Sequence, residues 1–161
     1  MTSDEFFREL GINIDHEAIR NFNFVEEVRI DTAFFELTER MRKLFRISIV
    51  SNDSREWANA LMKSFKLEQY VDNYFVSGDK DIGARKPNLE IYTAVLSKLN
   101  ASGRHVIMVE DTLENLVAPS QLSMLTFWFN RTEQQIAGSF KPDYVVKNFH
   151  ELGDILLEAR A

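Results

Sequence analysis

Cysteine is absent from the 161 residues. That excludes disulfide frameworks, thiolate metal sites and cysteine nucleophiles, and it suits a reducing compartment. Proline and glycine are scarce, at three and six, and no internal repeat or Pro/Gly/Ser-rich linker divides the chain. No apolar run reaches the roughly 18 residues that a membrane helix needs. The opening MTSDEFFREL is acidic where a signal peptide would be basic, so a cytoplasmic protein without a membrane partner is expected. Positive charge is short as well: 19 Lys plus Arg against 25 Asp plus Glu leave a net charge of −6. A chain of this sign has no cationic field with which to collect the phosphates of DNA or RNA, and no nucleic-acid partner is expected. The three histidines, His16, His105 and His150, show no metal-ligand spacing.

What is present is material for a core, since 45% of the residues are hydrophobic, enough for one compact domain of ordinary size. Phe6, Phe7 and Leu10 share a helical face, which predicts short opening helices over residues 3–10 and 15–21. Residues 22–30 alternate loosely, and Asp31-Thr32 offers a cap to a helix carrying Phe34, Phe35, Leu37, Met41, Leu44 and Phe45. Strands and helices then alternate. Strands are expected at 46–50, 74–76, 105–109, 124–129 and 144–146, and helices at 54–65, 88–99, 113–121 and 152–160. Alternation of β-branched strands with amphipathic helices predicts an α/β fold, a doubly wound and mostly parallel sheet covered on both faces.

Ligands of such sheets bind beyond the carboxyl ends of the strands, so the residues following each apolar run carry the chemistry. Ser51-Asn52-Asp53-Ser54 closes one strand and leads into a helix, placing a hydroxyl and backbone N–H groups where an anion would be held. Arg85-Lys86-Pro87 precedes another helix, with Pro87 suited to its first turn. Glu110-Asp111 ends a strand with two carboxylates, a donor set for a hard divalent cation such as Mg²⁺. Each has a plainer reading, as a turn residue, a surface charge and a helix cap.

Ile47-Ser48-Ile49-Val50-Ser51-Asn52, then Arg85-Lys86-Pro87-Asn88-Leu89-Glu90-Ile91-Tyr92, then Val106-Ile107-Met108-Val109-Glu110-Asp111-Thr112 with Asn115, resemble the second, third and fourth motifs of the haloacid dehalogenase superfamily. Order and spacing agree, with 35 residues from Ser51 to Lys86 and 25 from Lys86 to Asp111. Within the superfamily the chain is most similar to helically capped phosphatases. The resemblance implies residues 1–27 as the remnant of a helical cap and 28–161 as a Rossmann-like core. It implies phosphoryl transfer from a small phosphorylated metabolite through an ester on a carboxylate nucleophile. Ser51 and Asn52 would bind the phosphoryl group, and Lys86 would be the catalytic residue that neutralises its charge. Glu110 and Asp111 would hold Mg²⁺, with Asn115 in a secondary role.

One motif is missing. The family's first motif, Asp-x-Asp followed by Gly-Thr, supplies the nucleophile and the general acid, yet before Ser51 the only aspartates are Asp4, Asp15 and Asp31. Asp31 lies only twenty residues before Ser51 and reads as a helix cap; Asp79-Lys80-Asp81 is the only Asp-x-Asp and reads as a polar turn. The chain is therefore expected to be an N-terminally shortened member, inactive or weak as it stands, whose first strand is missing from the centre of the sheet. Residues 22–30, a strand from another subunit, or direct closure of the neighbouring strands could occupy that place. Glu26, Glu27 and Arg29 make the first poorly suited, and a homo-oligomer is one expected outcome. The alternative to a hydrolase is a non-catalytic module that binds phosphate or a partner protein. A purely structural role, with the apolar surface beside the missing strand buried between subunits, is a third reading. Pro119 is expected to kink or shorten the helix after Asp111.

Overall fold

The structure is a computed structural model and describes residues 8, 11, 12, 24–136 and 138–158. The two opening helices expected over 3–10 and 15–21 lie almost entirely outside the described residues. The chain forms two compact units, Met1–Ala84 and Arg85–Ala161, and the boundary falls in the loop ahead of Lys86, a place that composition does not mark.

In the first unit, α1 (Phe24–Glu27) is a single helical turn. The segment weighed as a substitute strand is therefore not extended there, which fits the charges of Glu26 and Glu27. Helix α2 (Ala33–Met41) follows, and Asp31 accepts the Ala33 N–H at 3.0 Å, as a capping aspartate should. It buries Leu37, Thr38 and Met41 on one face. Strand β1 (Ser48–Ser51) leads through Ser54 into α3 (Arg55–Ser64), and the Ser54 hydroxyl, fully buried, accepts the Trp57 N–H at 3.2 Å. Lys66 ends this helix in the left-handed region at φ 51°, and a 3₁₀ turn at Leu67–Gln69 returns the chain to β2 (Asn73–Val76). A strand-helix-strand crossover of this length is what parallel pairing requires. β1 and β2 pair in parallel from Ser48↔Asn73 to Ser51↔Val76.

The second unit opens with α4 (Leu89–Leu99), which buries Ile91, Tyr92 and Val95. Asn88 sits at its N-cap, so Pro87 precedes the helix and does not occupy its first turn. Strand β3 (Ile107–Glu110) is followed by a 3₁₀ turn at Leu113–Leu116 and by α5 (Val117–Gln121). The single helix expected over 113–121 is thus split, and α5 has only five residues. Pro119 stands in its first turn, where the missing N–H leaves no intrahelical bond unmade. Strands β4 (Leu125–Phe129) and β5 (Tyr144–Val146) complete a three-stranded parallel sheet in the order β3-β4-β5. Asp143 holds the entry to β5, accepting the Thr126 N–H at 2.8 Å and the Thr126 hydroxyl at 2.7 Å. Helix α6 (Phe149–Glu158) starts three residues earlier than its apolar pattern suggests, because Asn148 accepts the Glu151 N–H at 2.9 Å and caps it.

Every strand pairing is parallel, as the alternation predicts. Among the described residues, β1 is hydrogen-bonded along one edge, to β2, and β3 along one edge, to β4.

Candidate functional site

Beyond β1, the loop of residues 52–54 is held by the loop after β2. The Ser77 N–H donates to the Ser51 carbonyl at 2.9 Å and the Gly78 N–H to the Asp53 carbonyl at 3.3 Å. Gly78 allows this close approach, since a Cβ there would stand 3.0 Å from the Asp53 carbonyl oxygen and 3.3 Å from the Ser54 Cα. Arg55, at the start of α3, donates through its guanidinium to both oxygens of Asp79, and this pairing raises its pKa further. Asp79 is thereby engaged as a turn residue, in keeping with the plainer reading of Asp79-Lys80-Asp81.

The Ser51 hydroxyl itself donates to the Asp53 carboxylate. The Tyr74 hydroxyl lies beside Ser51, and its pKa is pushed up to about 12, first by burial and then by the negative charge of Asp53. Tyr74 therefore stays protonated and neutral at any physiological pH. Its proton is held more tightly in the folded than in the unfolded chain, so the stability that this contributes is complete below pH 10 and is lost as pH rises towards 12. Wild-type stability should fall by about 1 kcal/mol more than that of Tyr74→Phe between pH 9 and pH 11.5, after allowance for partial solvent exposure. Urea unfolding at the two pH values checks this; parallel slopes for the two proteins would refute it.

In the second unit, Lys86, Glu110 and Asp111 come together. Lys86 Nζ donates to Glu110 Oε2 at 2.5 Å, with the two side chains only 13% and 6% exposed. Glu110 Oε1 faces the Thr112 N–H at 3.4 Å. Asp111 is exposed beyond the end of β3. Its carboxyl is held below the usual carboxylate range by a hydrogen bond with the Glu110 side chain, helped by the Thr112 hydroxyl and the charge of Lys86. Asp111 is accordingly the anionic, outward-facing carboxylate of the pair, while Glu110 is occupied by Lys86.

Two side chains that sequence reasoning does not single out fix the turn carrying Asp111. The Trp128 indole N–H donates to the Asp111 carbonyl at 2.9 Å, and the Tyr92 hydroxyl to the Asn115 carbonyl at 2.6 Å. Both donors are almost fully buried, and Tyr92 has a pKa raised by burial and by the nearby charge of Glu110. Their only sequence signal is a polar atom on an aromatic ring at a core position, which implies a partner without naming it.

No cluster of three or more His, Cys, Asp or Glu that could hold a metal occurs among the described residues. The exposed Asp111 carboxylate with that of Glu110 beside it nevertheless fits Mg²⁺, which keeps several waters and takes one or two carboxylates together with substrate phosphate. Among the described residues no helix is long and apolar enough to cross a membrane.

Parallel strands joined by helices, with Ser51 at the end of β1 and Glu110-Asp111 at the end of β3, define an α/β protein. The comparisons place it more narrowly. The model of the haloacid dehalogenase-like hydrolase family matches residues 4–121, and the chain belongs to that family. Pyrophosphatase PpaX of Halalkalibacterium halodurans is 30% identical over 115 residues, 70% of this chain and 52% of that protein. Drimenol cyclase drtB of Aspergillus calidoustus is 25% identical over 142 residues, 83% of this chain and 26% of that protein. The chain thus spans about half of the one curated relative and about a quarter of the other. A haloacid dehalogenase-family phosphatase from Thermococcus onnurineus superposes with a TM-score of 0.75 at 21% identity, over 96% of this chain and 70% of that one. The hydrolase YfnB of Bacillus subtilis, solved bound to magnesium, gives 0.77 at 23% identity, over 97% and 73%. These likenesses establish the Rossmann-like fold of the family for this chain.

Proposed function

We propose that this chain is the phosphate- and Mg²⁺-binding part of a phosphatase-type hydrolase acting on a small phosphorylated metabolite in the cytoplasm. The observation that carries the proposal is the buried Lys86–Glu110 ion pair beside the acidified, exposed carboxylate of Asp111, all at the end of one parallel strand. In this reading Lys86 presents fixed positive charge to the phosphoryl oxygens, and Glu110 holds its ammonium in place. In the first unit, Ser51 and Asn52 are assigned to binding a phosphate anion beyond the end of β1. Asp111, with Glu110 behind it and Asn115 on the same turn, holds the cation. Bound Mg²⁺ would offset charge on the phosphoryl oxygens. A pyrophosphatase among the relatives is consistent with phosphate as the recognised group.

The 161 residues contain no Asp-x-Asp ahead of Ser51, so the carboxylate on which the family builds its phosphoryl ester is not supplied at that position. Binding without turnover is therefore the expected behaviour, and this favours a phosphate-binding module as the second reading. Titration calorimetry should show the wild type binding Mg²⁺ and inorganic phosphate. Asp111→Asn should weaken Mg²⁺ at least about tenfold, and Ser51→Ala should weaken phosphate by about the same factor. A wild type that binds neither ligand would overturn the proposal. Hydrolysis of p-nitrophenyl phosphate that disappears in Asp111→Asn would show turnover that depends on the cation site and would overturn the expectation of binding alone.

A further inference from the structure

Asp53 lies two residues beyond Ser51, and its carboxylate accepts the Ser51 hydroxyl proton. A serine has one proton to donate. An anion recognised by Ser51 must therefore take that proton away from Asp53, and must do so within a few ångströms of a like charge. The negative charge of Asp53 also contributes to the raised pKa of Tyr74, so its field acts on this loop. The neighbouring cation offsets it only in part: Arg55 is paired with Asp79 through two hydrogen bonds, and at Tyr74 its opposing effect is smaller than that of Asp53. The Asp53 backbone, by contrast, is held independently of its side chain, with its carbonyl accepting the Gly78 N–H at 3.3 Å and the Ser77 hydroxyl at 3.5 Å. Changing the carboxylate leaves those backbone contacts in place.

We infer that Asp53 is a specificity-determining residue. It competes with the ligand for the Ser51 hydroxyl and biases the anion site against doubly charged tetrahedral groups in favour of singly charged ones. The inference rests on the reading of Ser51 as an anion-binding residue. Two like charges about 5 Å apart near a protein surface repel strongly enough to change affinity tenfold or more.

The test is titration of the full chain with sulfate, a tetrahedral dianion whose charge does not vary with pH near neutrality, and with dimethyl phosphate, a monoanion. Asp53→Asn removes the charge and keeps the shape, and Asp53→Ala also frees the hydroxyl. Both should bind sulfate about tenfold more tightly than wild type, Ala at least as tightly as Asn, with a gain of threefold or less for dimethyl phosphate. Adding Ser51→Ala to either variant should weaken sulfate binding relative to that variant alone, because the donor is lost while the relief of repulsion remains. A gain in affinity cannot come from a damaged fold. Measurable wild-type binding with no gain, or a loss, in both variants would overturn the role of Asp53 and leave the anion site standing. Absence of binding in the wild type and in both variants, unaffected by Ser51→Ala, would remove the anion site and the inference with it.

Discussion

Lys86→Met is expected to destabilise the protein by about 3 kcal/mol, because it leaves a buried carboxylate without its cation. The Glu110 side chain is only 6% exposed, and Lys86 Nζ approaches it at 2.5 Å. Methionine keeps most of the packing volume of the lysine stem and removes the charge, so the loss reads the stranded carboxylate more than the lost contacts. Asp111 stands next to Glu110 in the chain at the end of β3, so no positive charge replaces the lysine from that side. The double variant Lys86→Met/Glu110→Gln carries neither buried charge and should recover most of the loss. Urea unfolding of the three proteins at one pH checks both statements. A single-variant loss under 1 kcal/mol would show that solvent screens the pair, and would weaken the case for Lys86 as a held, dehydrated cation.

Gly103→Ala should be at least as damaging, at about 3 kcal/mol or more, for a wholly steric reason. A Cβ at Gly103 would stand 1.8 Å from the Leu122 carbonyl oxygen and 2.9 Å from its carbon. Both are backbone atoms of the residue that ends α5, and the turn between α5 and β4 is pinned there. The Leu122 N–H donates to Ala118 and Pro119, and the Met124 N–H to Pro119 at 3.0 Å. No rotamer change can relieve such a contact, so either the 3₁₀ turn at Gly103–His105 or the lead into β4 must move. Thermal unfolding and soluble yield measure the result. A variant with wild-type stability would mean that the two segments part at little cost.

The sequence showed this glycine only as a small residue in a loop between a helix and a strand. Its necessity comes from a segment nineteen residues further along the chain, and a pattern of local preferences carries no record of that approach. The strands are the opposite case. Their β-branched runs, their separation by helices and the resulting parallel pairing are local properties, and the expected strands at 46–50, 74–76, 105–109, 124–129 and 144–146 all find counterparts within two residues at either end. The split of the expected helix over 113–121 is intermediate. Pro119 announced a short helix, while the 3₁₀ geometry of Leu113–Leu116 follows from the anchoring of Asp111 by Trp128 and of Asn115 by Tyr92.

By itself the sequence determined the α/β class, the family, the absence of thiol chemistry and the residues at the strand ends, because hydropathy period, motif order and residue type are written along the chain. Only the tertiary structure decided what those residues are engaged with. Lys86 meets Glu110 across 24 positions, Trp128 reaches Asp111 across 17, and Tyr92 reaches Asn115 across 23. The same holds for the commitment of the Ser51 hydroxyl to Asp53, two residues away yet set by the rotamers of a loop that β2 holds in place. Hydrogen bonds and ion pairs depend on distances of a few ångströms, and these exist only once the chain has folded.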